Sequence, residues 1–279
     1  MKKVFIILLL VITTLFAKEE IVWSQYNLPT VYELSGPNKG KGYEQLQENE
    51  IRKYLSNYRH RIITTSIART FYTIKNTTNT CSGVLKNKKR EKYIYFSVAL
   101  NALIPNGLYI KRDKYQKFKR YINGDGKLDL KELTKSHKFK LAYKKTAAYG
   151  DFIDKYKKTD TLVVMTTRAR NQLILLKNDR IDGYFTYPIE ALKHVQSLKY
   201  NPKNYIFLHI EGSSYTPAYI GCSKSKFGKK VIKQINKYIL KHRENSLLEH
   251  YLHWIDKTEA SKIREHIDEI FKKIDKNDS

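Results

Sequence analysis

The residues best suited to chemistry in this chain are anion-seeking groups. Arg69 opens a helical turn after a strand-like stretch at residues 61–65, and Arg90 lies in a basic loop, residues 86–92, that follows a strand near Cys81. A guanidinium donates two parallel hydrogen bonds to one carboxylate, so an arginine at a strand end is a natural grip for an acid. Residues 146–150, which include Thr146 and Tyr149, join a strand to a helix. Free backbone N–H groups at a helix start can hold a carboxylate or phosphate. Taken singly, each arginine reads equally well as half of a surface ion pair.

Other chemistries find less support. The stretch Asn123, Gly124, Asp125, Gly126, Lys127, Leu128, Asp129 has the oxygens and glycine of a calcium loop, but Tyr121 falls where the first carboxylate belongs. A turn with Asp129 at a helix start accounts for the same residues without metal. The eight histidines show no paired ligand spacing. No nucleophile elbow, phosphate loop or dinucleotide fingerprint occurs, so no catalytic residue, metal or cofactor is assigned. If the fold carried an enzyme, Glu190 and Glu211 would be its candidate acid or base. Cys81 and Cys222 are far apart in sequence, and either a disulfide or two buried thiols is compatible with them.

The elements that must position these groups alternate. An amphipathic helix is expected over residues 43–59, where Leu46, Ile51, Tyr54, Leu55 and Tyr58 recur at spacings of three and four. Strands are expected at 21–23, 61–65, 81–85, 139–143, 162–165 and 184–186, with helices at 67–74, 149–156 and 169–177 between them. Further extended stretches at 206–210 and 218–222 precede a long helix from Gly228 to Leu240 and a helical C-terminus. Strands alternating with helices of about ten residues imply mostly parallel sheets flanked by helices. Lys2 and Lys3, then an apolar run to Ile12 and a small residue at Ala17, read as a signal peptide over residues 1–17, too short for a span. The expected location is therefore the periplasm. A formal charge of +26 is spread along the chain without a nucleic-acid motif, which describes a solvated basic surface and no nucleic-acid partner.

Several short motifs, in order, resemble the family 3 periplasmic solute-binding proteins of ABC transporters. They are Arg90 and Glu91 followed by Tyr95, Phe96 and Ser97; Asp129 and Leu130 with Leu133; Tyr149 and Gly150 with Ile153 and Asp154; residues 178–183; residues 218–224; and Tyr251 with Trp254. The arrangement of Arg69, Cys81 and Arg90 is similar to that of a proteobacterial branch of the family. The resemblance implies a two-lobed type 2 fold, with the first lobe at 18–111, the second at 112–213, and a return to the first at 214–279. It implies a ligand cleft between the lobes in which Arg90 grips a carboxylate. Ser82 and Gly83 would face Thr146 and Tyr149 across it, with Arg69 and Trp23 completing the first-lobe wall. Tyr187 stands where amino-acid binders of the family carry an aspartate for the ligand ammonium, which points away from a standard amino acid. The implied function is capture of a small anionic solute by a monomer that works with a membrane permease. A sensory protein docking on a receptor is the alternative.

Overall fold

The computed structural model describes residues 18–144, 151–156, 162–165 and 169–278. The expected signal peptide lies outside the described residues. No described helix is long and apolar enough to cross a membrane.

The first lobe is built on strands β1 (Glu20–Tyr26), β2 (Arg59–Thr65), β3 (Thr80–Val84), β4 (Ile94–Phe96) and β5 (Asn101–Leu103), with helices α1 (Tyr43–Tyr54), α2 (Ile67–Asn76) and α3 (Lys88–Glu91). The second contains β6 (Gly107–Lys111), α4 (Tyr115–Phe118), α5 (Leu130–Lys135), β7 (Leu141–Lys144), α6 (Asp151–Asp154), β8 (Leu162–Met165), α7 (Ala169–Lys177), β9 (Gly183–Thr186), α8 (Pro188–Ser197) and β10 (Tyr205–Leu208). The chain then returns through β11 (Thr216–Ser223) to the first sheet and ends in α9 (Lys226–His242), α10 (Leu248–Leu252) and α11 (Lys257–Asp278).

The first sheet has the order β2-β1-β3-β11-β4, with β5 also on β11; the second has the order β10-β6-β9-β7-β8. Both sheets are mixed rather than mostly parallel. The strands carried across between lobes run against their neighbours: β11 is antiparallel to β3, β4 and β5, and β6 is antiparallel to β9 and β10. The first crossing falls at residues 104–106 instead of 111, because β6 hydrogen-bonds inside the second sheet. The second crossing falls at 209–215. The hydroxyl of Tyr251 in α10 accepts the N–H of Ile104 at 2.9 Å, which ties the first crossing to the C-terminal helices.

Alternation within strands sets the layers. Leu108, Ile110 and Phe185 enter one core of the second lobe, while their neighbours Tyr109 and Tyr184 enter the core on the opposite face. In the first lobe Ile51 from α1 and Leu55 just beyond it meet Val231, Ile235 and Ile239 from α9 over Ile21 and Trp23 of β1. Cys81 and Cys222 are register partners on β3 and β11 and form a disulfide in that core. Edge strand β2 is largely exposed, and Arg59 and Arg61 on it pair with Glu20 of β1. Charged side chains at such an edge discourage pairing with another chain.

Candidate functional site

Between the lobes lies a cavity of about 110 Å³. Tyr26, Thr30, Tyr43, Glu44 and Leu85 wall it from the first lobe, Tyr187, Ile189 and Glu190 from the second, and Tyr251 from α10. A larger groove, about 870 Å³, runs along the second lobe beside Arg112, Lys199 and Lys203. That groove touches one lobe only, whereas the smaller cavity is walled by both. The smaller one is therefore the better candidate for a site that closes by lobe motion.

Helix α1 begins at the cavity, and Gly42 before it packs so closely on the Val31 carbonyl that a Cβ would collide. This brings the first turn of the helix against β3. Glu44 and Glu48, one turn apart, are both buried. Glu48 is satisfied: Tyr32 Oη donates to it at 2.5 Å and Gln25 Nε2 at 2.7 Å. Tyr32 Oη also accepts the Gly83 N–H at 3.0 Å, and Tyr26 Oη donates to the Gly83 carbonyl at 3.2 Å. A Cβ at Gly83 would strike the Glu44 carboxyl and the Tyr32 hydroxyl, so the glycine lets both sit against β3. Glu44 is not satisfied, since its buried Oε2 has no hydrogen-bond partner in the protein, and the same holds for Oγ1 of Thr30. Burial, reinforced by the neighbouring Glu48, pushes the Glu44 carboxyl up to about 8. Burial also raises Glu48, opposed by its bonds from Tyr32 and Gln25. Thr30 has a positive φ of 71°, an unusual backbone state for a β-branched residue.

Of the residues expected at the site, Tyr187 lines the cavity. It stands at the N-cap of α8, before Pro188 at the first helical position, and burial raises its hydroxyl while Asn106 and Thr216 hydrogen-bond to it. Arg90 sits behind the wall. Its Nη1 donates to the Leu85 carbonyl at 2.6 Å and its guanidinium stacks 3.9 Å from the Phe71 ring centroid. Arg69 is exposed and lies over Tyr72. Ser82 is buried and donates to the Ser24 carbonyl at 2.6 Å, while both backbone groups of Gly83 bond to tyrosine hydroxyls. Trp23 is a correction. It is fully buried in the core beneath α1 and α9, with Nε1 donating to His60 at 3.0 Å, because its place in β1 turns it away from the cavity. Thr146 and Tyr149 lie outside the described residues. Glu190 lines the cavity and accepts from Thr186 at 3.2 Å, whereas Glu211 is exposed at the second crossing. The glycine-rich stretch forms a turn in which Asn123 accepts the N–H groups of Asp125 and Lys127, and Asp129 caps α5.

Glu44, Glu48, Thr30 and the tyrosines at 26, 32 and 43 were not read from the sequence as site residues. A signal for the carboxylates exists: 44, 48, 51 and 55 lie on one helical face, and its second half is apolar. Two carboxylates continuing a buried stripe mark a helix end that leaves the core for a cavity.

The sheet orders, the two crossings and the cavity between lobes decide the architecture. The chain has the two-lobed type 2 periplasmic-binding-protein fold. No protein-family model and no curated protein matches the sequence. Solved structures do match in fold. The probable amino-acid ABC transporter extracellular-binding protein ytmK of Bacillus subtilis is 16% identical, with a TM-score of 0.65, covering 86% of this chain and 99% of that one. A structure from work on glutathione import via GshT and the cystine ABC importer TcyBC of Streptococcus mutans is 15% identical, with a TM-score of 0.63, covering 85% and 95%. A histidine kinase sensor domain with similarity to periplasmic binding proteins is 13% identical, with a TM-score of 0.61, covering 86% and 96%. At such identities the likeness establishes the fold alone.

Proposed function

We propose that this protein is an extracytoplasmic solute-binding protein that closes its two lobes over one small solute and hands it unchanged to a membrane permease. The observation that carries this reading is the cavity walled by Glu44 and Tyr43 on one side and Tyr187 and Ile189 on the other. A pocket divided between two lobes is formed by closing them and lost by opening them, which makes capture and release the natural work of the fold. The Lys193 to Glu33 ion pair, 2.9 Å across the lobes, supports a closed state. The signal-like residues 1–17 support work in the periplasm. Fold neighbours among ABC transporter binding proteins support delivery to a permease, and the kinase sensor domain supports a sensory variant of the same capture.

The expectation of a carboxylate gripped by Arg90 is not carried into this reading. That guanidinium is held by Leu85 and Phe71, and among the described lining residues the charged ones are Glu44 and Glu190. Thermal unfolding of the purified protein against amines, amino acids, dicarboxylates, aromatic acids and short peptides tests the proposal. A ligand bound only by the native state raises the midpoint. A rise with one compound class, and recovery of that compound unchanged, is the expected result. A panel with no effect, or a compound that is turned over, rejects solute capture.

A further inference from the structure

We infer that the solute carries a protonated amine and that Glu44, with Thr30 beside the same cavity, is its anchor. The inference rests on the solute-binding reading and names the class of ligand for that site. Its starting point is a pair of unmet polar atoms. Glu44 Oε2 and Thr30 Oγ1 are buried without a hydrogen-bond partner and belong to residues that line one cavity; the Tyr32 hydroxyl lies near the Glu44 carboxyl, but its proton is committed to Glu48. Buried polar atoms in native proteins are nearly always paired, and a group left unpaired calls for a partner that the protein alone does not contain. An ammonium has only donors to offer, so it satisfies a carboxylate and a hydroxyl oxygen at once.

The rest of the wall agrees. Glu190 brings a second carboxyl to the cavity, and no lysine or arginine is among the described lining residues. Tyr26, Tyr43, Tyr187 and Tyr251 surround the space. Aromatic rings about a cation attract it through their π faces. The apolar side chains of Val31, Leu85 and Ile189 leave room for a short hydrocarbon body. At about 110 Å³ the cavity is small, so the ligand part it encloses is a small alkylammonium head.

Protonation gives the anchor a distinctive signature. With its carboxyl pushed up to about 8, Glu44 is mostly neutral in the empty protein at pH 7. An ammonium beside it favours the carboxylate, so binding must release a proton to solvent.

The test uses three four-carbon probes, n-butylammonium, n-butanol and butyrate, titrated calorimetrically into the purified protein at pH 7 in two buffers of different ionisation enthalpy. The expected result is binding of the ammonium alone, release of close to one proton per site, and at least a tenfold loss of affinity in Glu44→Gln. Proton release in the wild-type protein gives a reading even if the variant folds poorly. Equal binding of butanol or butyrate, no binding of the ammonium, ammonium binding without proton release, or unchanged affinity in Glu44→Gln overturns the inference. If the ammonium fails while another compound in the broader panel raises the unfolding midpoint, solute capture stands and only the amine is wrong. If neither experiment shows binding, both readings fall.

Discussion

One face of α1 serves two different regions. Ile51 and, just beyond the helix, Leu55 pack with α9 and the Cys81–Cys222 disulfide in a core where the apolar side chains meet one another. About two turns earlier, the same face presents Glu48 and Glu44 to a cluster of tyrosines, and the second of these carboxyls is left with an unpartnered oxygen. The core half is complete within the chain. The cavity half is incomplete, carrying buried polar groups that destabilise the empty protein and that a bound solute would satisfy. Stability and recognition are thus separated along one helix, and substitutions should divide accordingly.

The largest expected effect belongs to the core. The disulfide closes a loop with a sequence separation of 141. Cys81→Ala with Cys222→Ala should lower stability by about 4–5 kcal/mol through chain entropy. Denaturant titration measures this, and solute affinity at a temperature where the variant is folded should remain unchanged. A stability loss below about 1 kcal/mol would break the comparison on this side.

Next comes the cavity, with opposite sign. The folded-state value of Glu44, about 8, lies above its ordinary 4.5, so the folded protein holds this proton more tightly than the unfolded chain. Its contribution is fully present below the ordinary value and is lost as pH rises through about 8. Between pH 5 and pH 9 this costs the wild-type protein about 4 kcal/mol at most, by the ~1.4 kcal/mol per unit relation. Glu44→Gln should therefore be more stable than wild type at pH 9, by a margin that shrinks toward pH 5. Denaturant titrations of both proteins across that range provide the check, and parallel curves would contradict it.

Ile235→Ala, in the buried stripe of α9, should cost about 3 kcal/mol without altering pH dependence or solute affinity. The smallest effect is assigned to Lys193→Ala. Its partner Glu33 is mostly buried, but Lys193 is partly exposed, so the pair should contribute no more than about 1 kcal/mol. Solute affinity should fall by up to about fivefold, with little change in unfolding of the unliganded protein.

The sequence was most readable where periodicity and burial agree. The stripe of α9 and strands such as β8, expected over 162–165 and found as Leu162–Met165, follow directly from apolar spacing. The crossing point was displaced because residues 93–110 form one extended, aromatic run, and only pairing shows that the chain changes sheets within it. Helix α1 misled in a more instructive way. Tyr54 is 47% exposed although its spacing placed it on the apolar face, while Glu44 and Glu48, which hydropathy would place in water, are buried. Their burial depends on Tyr32, Gln25 and Gly83, contacts between segments that no local pattern records. Tyr187 was singled out only by the family resemblance, and the structure places it at the start of α8, beside the cavity. Trp23 was not legible, since the choice between core and cleft for a strand residue depends on where the sheet ends.

The most direct test of solute capture between the lobes is a crystal structure of the protein with the solute that most raises its unfolding midpoint. That solute is expected in the cavity, touched by Glu44 and Tyr43 from one lobe and by Tyr187 from the other. Solute seated in the groove beside Arg112 and Lys199, or on one lobe alone, would contradict capture between the lobes.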